Sequence, residues 1–255
     1  MIRSKGKLAL IVGFFAALLA AALPAGAVTC SNASVKGLYG LFINGYDSAG
    51  LYQHGVGQIN SNGAGKFTGV ETVSDDGTIF NNQSLSGTYS IAADCTGTGI
   101  ITNIKTGAQS HYNFDVDPVG KQVDAAATDS GHGTASGYVL AQGTATCTLA
   151  AVAGTYGFHG GGYLTGQGVL QFGGQYVLDG AGGLTGTETR DVNGTVISAA
   201  PITGTYTLAT NCRGTITYVF NGSTVKLNTV FVSGGKSFFT IETDPGTVAT
   251  AVAHQ

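Results

Sequence analysis

The 255-residue chain is predicted to be all-β, with two tandem antiparallel β-barrels of about eight strands each and β-sandwiches as the alternative. Three observations carry this. The chain repeats itself at an offset of 117 residues, with GTYSIAADCTGT at 87–98 returning as GTYTLATNCRGT at 204–215. Short runs alternate apolar and polar residues with period two, separated by Asn-Gly and Asp-Gly pairs. The composition holds 42 glycines and only 10% charged residues, yet it is too rich in β-branched and aromatic residues for a disordered chain.

Residues 1–27 read as a secretory signal peptide. Arg3, Lys5 and Lys7 precede an apolar run from Leu8 to Leu23, and Ala25-Gly26-Ala27 offers a small-residue cleavage pattern. The run is short for a membrane span, so no stable span is expected after cleavage. The mature protein would then be secreted, periplasmic or held at the cell surface. Cleavage would leave 8 Lys and Arg against 14 Asp and Glu, moving the net charge from -3 to -6. That balance argues against nucleic acid or an anionic membrane surface as a partner.

The repeat divides the mature chain into units of about 28–143 and 144–255, each of domain size, joined at Gly143-Thr144-Ala145-Thr146. Gly37-Leu38-Tyr39-Gly40 matches Gly154-Thr155-Tyr156-Gly157, and Glu71-Thr72 matches Glu188-Thr189. Phe114 aligns with Phe231, after which a small deletion shifts the register so that Lys121 pairs with Lys236 and Gln142 with Gln255. A single sheet system built from both halves is the competing arrangement. Cys30 and Cys95 are 65 apart, as are Cys147 and Cys212. A unit that folds alone should close its own pair, giving the disulfides Cys30–Cys95 and Cys147–Cys212. Each would restrict the unfolded chain by about 4 kcal/mol in the loop-entropy model.

In the first unit, strands are expected over 37–46, 52–61, 66–74, 78–92, 97–104, 110–117, 121–128 and 134–142, with an equivalent set in the second. Asn62-Gly63, Asp76-Gly77, Asp179-Gly180 and Asn193-Gly194 mark hairpins. Asp94-Cys95-Thr96-Gly97 and Asn211-Cys212-Arg213-Gly214 fit type I turns closed by a glycine bulge, placing each cysteine at a hairpin tip.

The opening G-x-Y-G strand, the turns NGAGKFTG and DGAGGLTG, and the G-T-Y-x-[IL]-A-x-[DN]-C-x-G-T hairpin together resemble secreted bacterial calycin-like barrels, of the kind likened to allene oxide cyclase. The resemblance covers nearly all of the mature chain and implies a small barrel whose interior holds an apolar ligand. It carries over no catalytic residue, because no active-site motif matches by position.

Glu71 and Glu188 are the candidate catalytic carboxylates, since they recur in both copies on a strand face shared with Phe67 or Leu184. A carboxyl facing a barrel interior would have a raised pKa and could serve as acid or base. A solvated glutamate near a strand end is the alternative. Tyr39, Tyr89, Tyr156 and Tyr206 are candidate ligand-binding residues, with a purely packing role as the alternative. No metal site or cofactor is expected, because no histidine recurs between copies and no C-x-x-C is present. His132 has no repeated partner, no G-x-S-x-G frame occurs, and Phe158-His159-Gly160-Gly161-Gly162 fits no nucleotide motif. The functional expectation is a secreted, non-enzymatic tandem barrel that binds a small apolar ligand or a surface partner. The alternatives are a cavity isomerase or cyclase using a carboxylate, and a structural or adhesive envelope component.

Overall fold

A computed structural model describes residues 29–130, 133–143 and 147–255. The expected leader, His132 and residues 144–146 of the join lie outside the described residues. Barrel 1 consists of β1 (Lys36–Tyr46), β2 (Tyr52–Asn62), β3 (Lys66–Asp75), β4 (Thr78–Ile91), β5 (Thr96–Asn103), β6 (Gln109–Val116), β7 (Gln122–Ala127) and β8 (Ala135–Ala141). Barrel 2 consists of β9 (Gly154–Leu164), β10 (Gly168–Leu178), β11 (Gly183–Val192), β12 (Thr195–Leu208), β13 (Arg213–Phe220), β14 (Ser223–Val232), β15 (Ser237–Glu242) and β16 (Thr247–His254). Each first-unit strand ends within one residue of its expected limit. Both sheets run up and down and close on themselves, β1 on β8 and β9 on β16. Closure excludes the sandwich alternative and a sheet shared between the halves.

Turn chemistry explains the boundaries. Asp76 and Gly77 both have positive φ, as do Asn193 and Gly194, which is the backbone of a type I′ hairpin turn. The Asn62 carboxamide oxygen accepts from the amides of Ala64 and Lys66, and the Asp179 carboxylate accepts from those of Ala181 and Gly183. The cysteine hairpins depart from expectation in one respect. Their left-handed residues are Cys95 and Cys212 themselves, with φ of 72° and 67°, rather than the following glycines. Gly97 lies within β5 instead, where its missing side chain leaves room for the Phe114 ring.

The disulfides close as expected, Cys30 to Cys95 and Cys147 to Cys212. In barrel 1 the bond anchors a 3₁₀ turn, Asn32–Val35, whose buried Val35 plugs one end.

Strand register corrects the repeat alignment. Thr102 pairs with Gln109 in barrel 1 and Val219 with Thr224 in barrel 2, so two residues are missing from the β13–β14 hairpin. Val116 N donates to Cys95 O just as Phe231 N donates to Cys212 O. The counterpart of Phe231 is therefore Val116, and that of Phe114 is Thr229. Likewise Ala141 N bonds Lys121 O and Gln255 N bonds Lys236 O, so Gln255 corresponds to Ala141 and not to Gln142. The two-residue slip at Phe231 keeps every side chain on its own face, so alternation alone does not reveal it.

The barrels share an apolar seam made by outward-facing residues. Phe42 and Val56 pack against Val230, Val232, Phe239, Ile241 and Val252, all buried. Hydrogen bonds flank it: Gln58 Nε2 to Gln142 Oε1 at 2.8 Å, Gln142 Nε2 to Phe231 O at 3.1 Å, and Ser74 Oγ to Thr247 O at 2.6 Å. Thr250 Oγ1 donates to Asn44 Oδ1 at 2.7 Å, and Asn228 Nδ2 donates to Thr72 Oγ1 at 2.9 Å.

Candidate functional site

Alternation along each strand sends one set of side chains into each barrel, and the two interiors are furnished differently. Barrel 1 encloses an apolar cavity of about 110 Å³ floored by Val35, Tyr39, Leu41, Ile59, Phe67 and Val123. Above it lies a wider, more polar chamber of about 430 Å³, lined in part by Glu71, Asp75, Gln83, Lys105 and Tyr112. The two share Ile43, Ile101 and Tyr112 as wall residues, forming one channel with an apolar floor and a polar mouth.

In barrel 2 the corresponding space is filled. Phe158 stands where barrel 1 has Leu41, Tyr176 where it has Ile59, Phe238 where it has Val123, and Phe231 where it has Val116. Phe158 and Tyr176 stack with centroids 3.9 Å apart, and Tyr176, Phe231 and Phe238 are wholly buried. Ile216 and Tyr218 replace Gly99 and Ile101, and Phe172 replaces Gly55. One strand scaffold thus yields a lined chamber in one copy and a packed core in the other.

The paired glutamates follow this split. Glu188 is fully buried, accepting from Arg190 Nε at 2.7 Å and from the Tyr218 hydroxyl at 2.8 Å. The Arg190 guanidinium lies 5.5 and 4.9 Å from the ring centroids of Phe172 and Phe220, and its Nη2 is 3.8 Å from Glu242 Oε2. Burial pushes the Glu242 carboxyl up to about 7 against the opposing pull of Arg190. Glu71 lines the barrel 1 chamber, makes no hydrogen bond to another described residue, and is pushed up to about 7 by burial. The Arg190 position is Val73 in barrel 1 and the Tyr218 position is Ile101, so neither partner of Glu188 is present there. The Tyr112 phenol is raised, first by burial and then by the nearby Glu71 charge.

The four repeated tyrosines serve the closed ends. Tyr39 OH donates to Gly120 O at 2.7 Å, and Tyr156 OH donates to Gly235 O at 2.6 Å. Tyr89 OH meets Ser61 Oγ at 2.7 Å, and Tyr206 OH accepts from Gly180 N at 3.0 Å. The rings of Tyr39 and Tyr89 face the apolar cavity, while those of Tyr156 and Tyr206 belong to the barrel 2 core. Among the described residues no three His, Cys, Asp or Glu side chains cluster as a metal ion would require, and no helix is long and apolar enough to cross a membrane.

No protein-family model and no curated protein matches the chain. Among solved structures, kievitone hydratase from Nectria haematococca is similar over 86% of this chain and 89% of that chain, at 8% identity and a TM-score of 0.28. A score that low supports no inference about function.

Sequence reasoning passed over Tyr112, Gly55 and Val73. The signal was the size contrast between aligned inward positions, open at the offset of 117 for Gly55 against Phe172 and Val73 against Arg190, while Tyr112 finds its counterpart Leu227 only once the deletion is placed in the β13–β14 hairpin.

Proposed function

We propose that the protein is an exported binding protein that holds a small, largely apolar molecule inside barrel 1 without transforming it, while barrel 2 serves as a solid structural partner. The observation that supports this is the contrast between a lined chamber and a filled core on one duplicated scaffold. Apolar walls with a few convergent polar groups are the usual make-up of a small-molecule site. The leader and one disulfide per unit accord with folding in an oxidising compartment. The units 28–143 and 144–255 are the two domains of this reading, and the calycin-like resemblance belongs to it.

Filling the chamber with barrel 2's own residues tests the proposal. Leu41→Phe with Ile59→Tyr should weaken binding of a neutral apolar fluorescent probe such as N-phenyl-1-naphthylamine more than about tenfold, or about 1.4 kcal/mol. Circular dichroism should stay native. Undiminished binding in a folded variant would sink it. A second reading, proton transfer within the chamber by Glu71, is favoured by its pKa of about 7, close to a working pH. It requires a turnover that Glu71→Gln abolishes without loss of fold.

A further inference from the structure

The duplication supplies an internal reference for what a carboxylate at this wall position demands. In barrel 2 the demand is met from within. Arg190 bonds Glu188 through Nε and rests between Phe172 and Phe220, so a cation on an apolar bed neutralises the buried acid. In barrel 1 the same carboxylate, Glu71, remains, but Arg190 is replaced by Val73, Phe172 by Gly55 and Phe220 by Asn103. The volume vacated by those three side chains lies in the chamber, and a side chain at Gly55 would begin 3.6 Å from Glu71 Oε2.

We propose that the ligand of barrel 1 is a protonated amine carried on an apolar body, its ammonium taking against Glu71 the place that the Arg190 guanidinium takes against Glu188. This inference rests on barrel 1 being a binding chamber. The charge distribution points the same way. Between residues 29 and 143 there are nine acidic residues against four lysines and no arginine, whereas 147–255 carries five acids against four basic residues. The acidic excess therefore falls on the hollow barrel, where it would draw a cation toward the mouth. Asp75 lines the chamber on the strand of Glu71, and burial together with Asp47 raises its pKa. Among the described residues, Lys105 is the one formally cationic residue on the chamber wall. His54, also on the wall, is held down to about 4 by burial and is neutral near pH 7, its Nδ1 turned to Thr250 across the seam. The apolar floor below Ile43 and Ile101 would receive the body of the ligand.

Isothermal titration of the exported, disulfide-bonded protein with 4-phenylbutylamine, 4-phenylbutan-1-ol and 4-phenylbutyrate tests this, since the three share one body and differ in the head. At about pH 8 the amine should bind at least about tenfold more tightly than the alcohol, with the acid weakest. The amine's preference should shrink toward about pH 5.5 as Glu71 takes up its proton, because an alkylamine with a pKa of about 10 stays charged throughout. Glu71→Gln should bring amine and alcohol to the same affinity. Val73→Arg, which supplies an internal guanidinium, should lose the amine selectively. Equal affinity of amine and alcohol for the wild type would overturn the amine assignment while leaving the chamber intact. If none of the three binds, the chamber reading itself falls.

Discussion

Glu71 and Glu188 occupy the same place in two copies of one strand, yet the surrounding side chains give them opposite consequences. Glu188 is satisfied by Arg190 and Tyr218, and removing either partner would leave a buried charge uncompensated. Glu71 has no such partner, and burial moves its pKa from 4.5 to about 7. Between those values the folded chain holds a proton that the unfolded chain has released. The contribution of this carboxyl to stability is therefore fully present below about pH 4.5 and is lost as pH rises through about 7. Glu242 slopes the same way, with its pKa also raised to about 7. The urea midpoint should fall between about pH 4.5 and about pH 7.5, and Glu71→Gln should flatten that fall. Parallel profiles for wild type and variant would show that the unliganded barrel does not feel this charge. The glutamates were legible as a repeated pair. Their difference was only half legible: Val73 against Arg190 lies two residues along the same strand and aligns at the offset of 117, whereas Ile101 against Tyr218 comes from another strand that only the closed sheet brings beside the carboxylate.

Among the elements, hairpins were the most legible, because Asn-Gly and Asp-Gly encode their turns locally and need no information from elsewhere in the chain. The cysteine hairpins were read less well. There the cysteine itself turns left-handed, and its side chain is bonded to a partner 65 positions away. That bond ties the plug to its barrel: Cys30 N donates to Ala93 O, Tyr89 OH donates to Asn32 O, and Ile91 N donates to Asn32 Oδ1 at 2.8 Å. Replacing Cys30 and Cys95 together by serine should lower stability by about 4 kcal/mol. Amide exchange should accelerate first at Ile91 and Cys30. An unchanged melting temperature would mean that the plug holds without the covalent bond. The seam strands escaped sequence reading for another reason. Phe42 and Val56 face outward in barrel 1, where alternation alone does not distinguish a second buried face from solvent.

For the whole molecule, the seam determines whether two barrels behave as one cooperative body. Gly40 faces the seam, where an added side chain would run into Val232 and lie 3.2 Å from a Val230 methyl and 3.3 Å from the Phe239 ring. Gly40→Val should cost about 1–3 kcal/mol of overpacking and split a single calorimetric transition into two. One undivided transition in that variant would mean that the flanking hydrogen bonds suffice to couple the barrels. The contrast between filled and unfilled interiors also reaches a variable that neither pH nor temperature isolates. Voids in a native fold are volume that the system recovers on unfolding, so hydrostatic pressure favours opening in proportion to them. Barrel 1 should therefore be the soft half under compression, its amide protons exchanging faster than those of barrel 2 at pressures below the joint unfolding transition. In the Leu41→Phe, Ile59→Tyr variant the two halves should yield together, making compressibility a map of where the chain left room for something else.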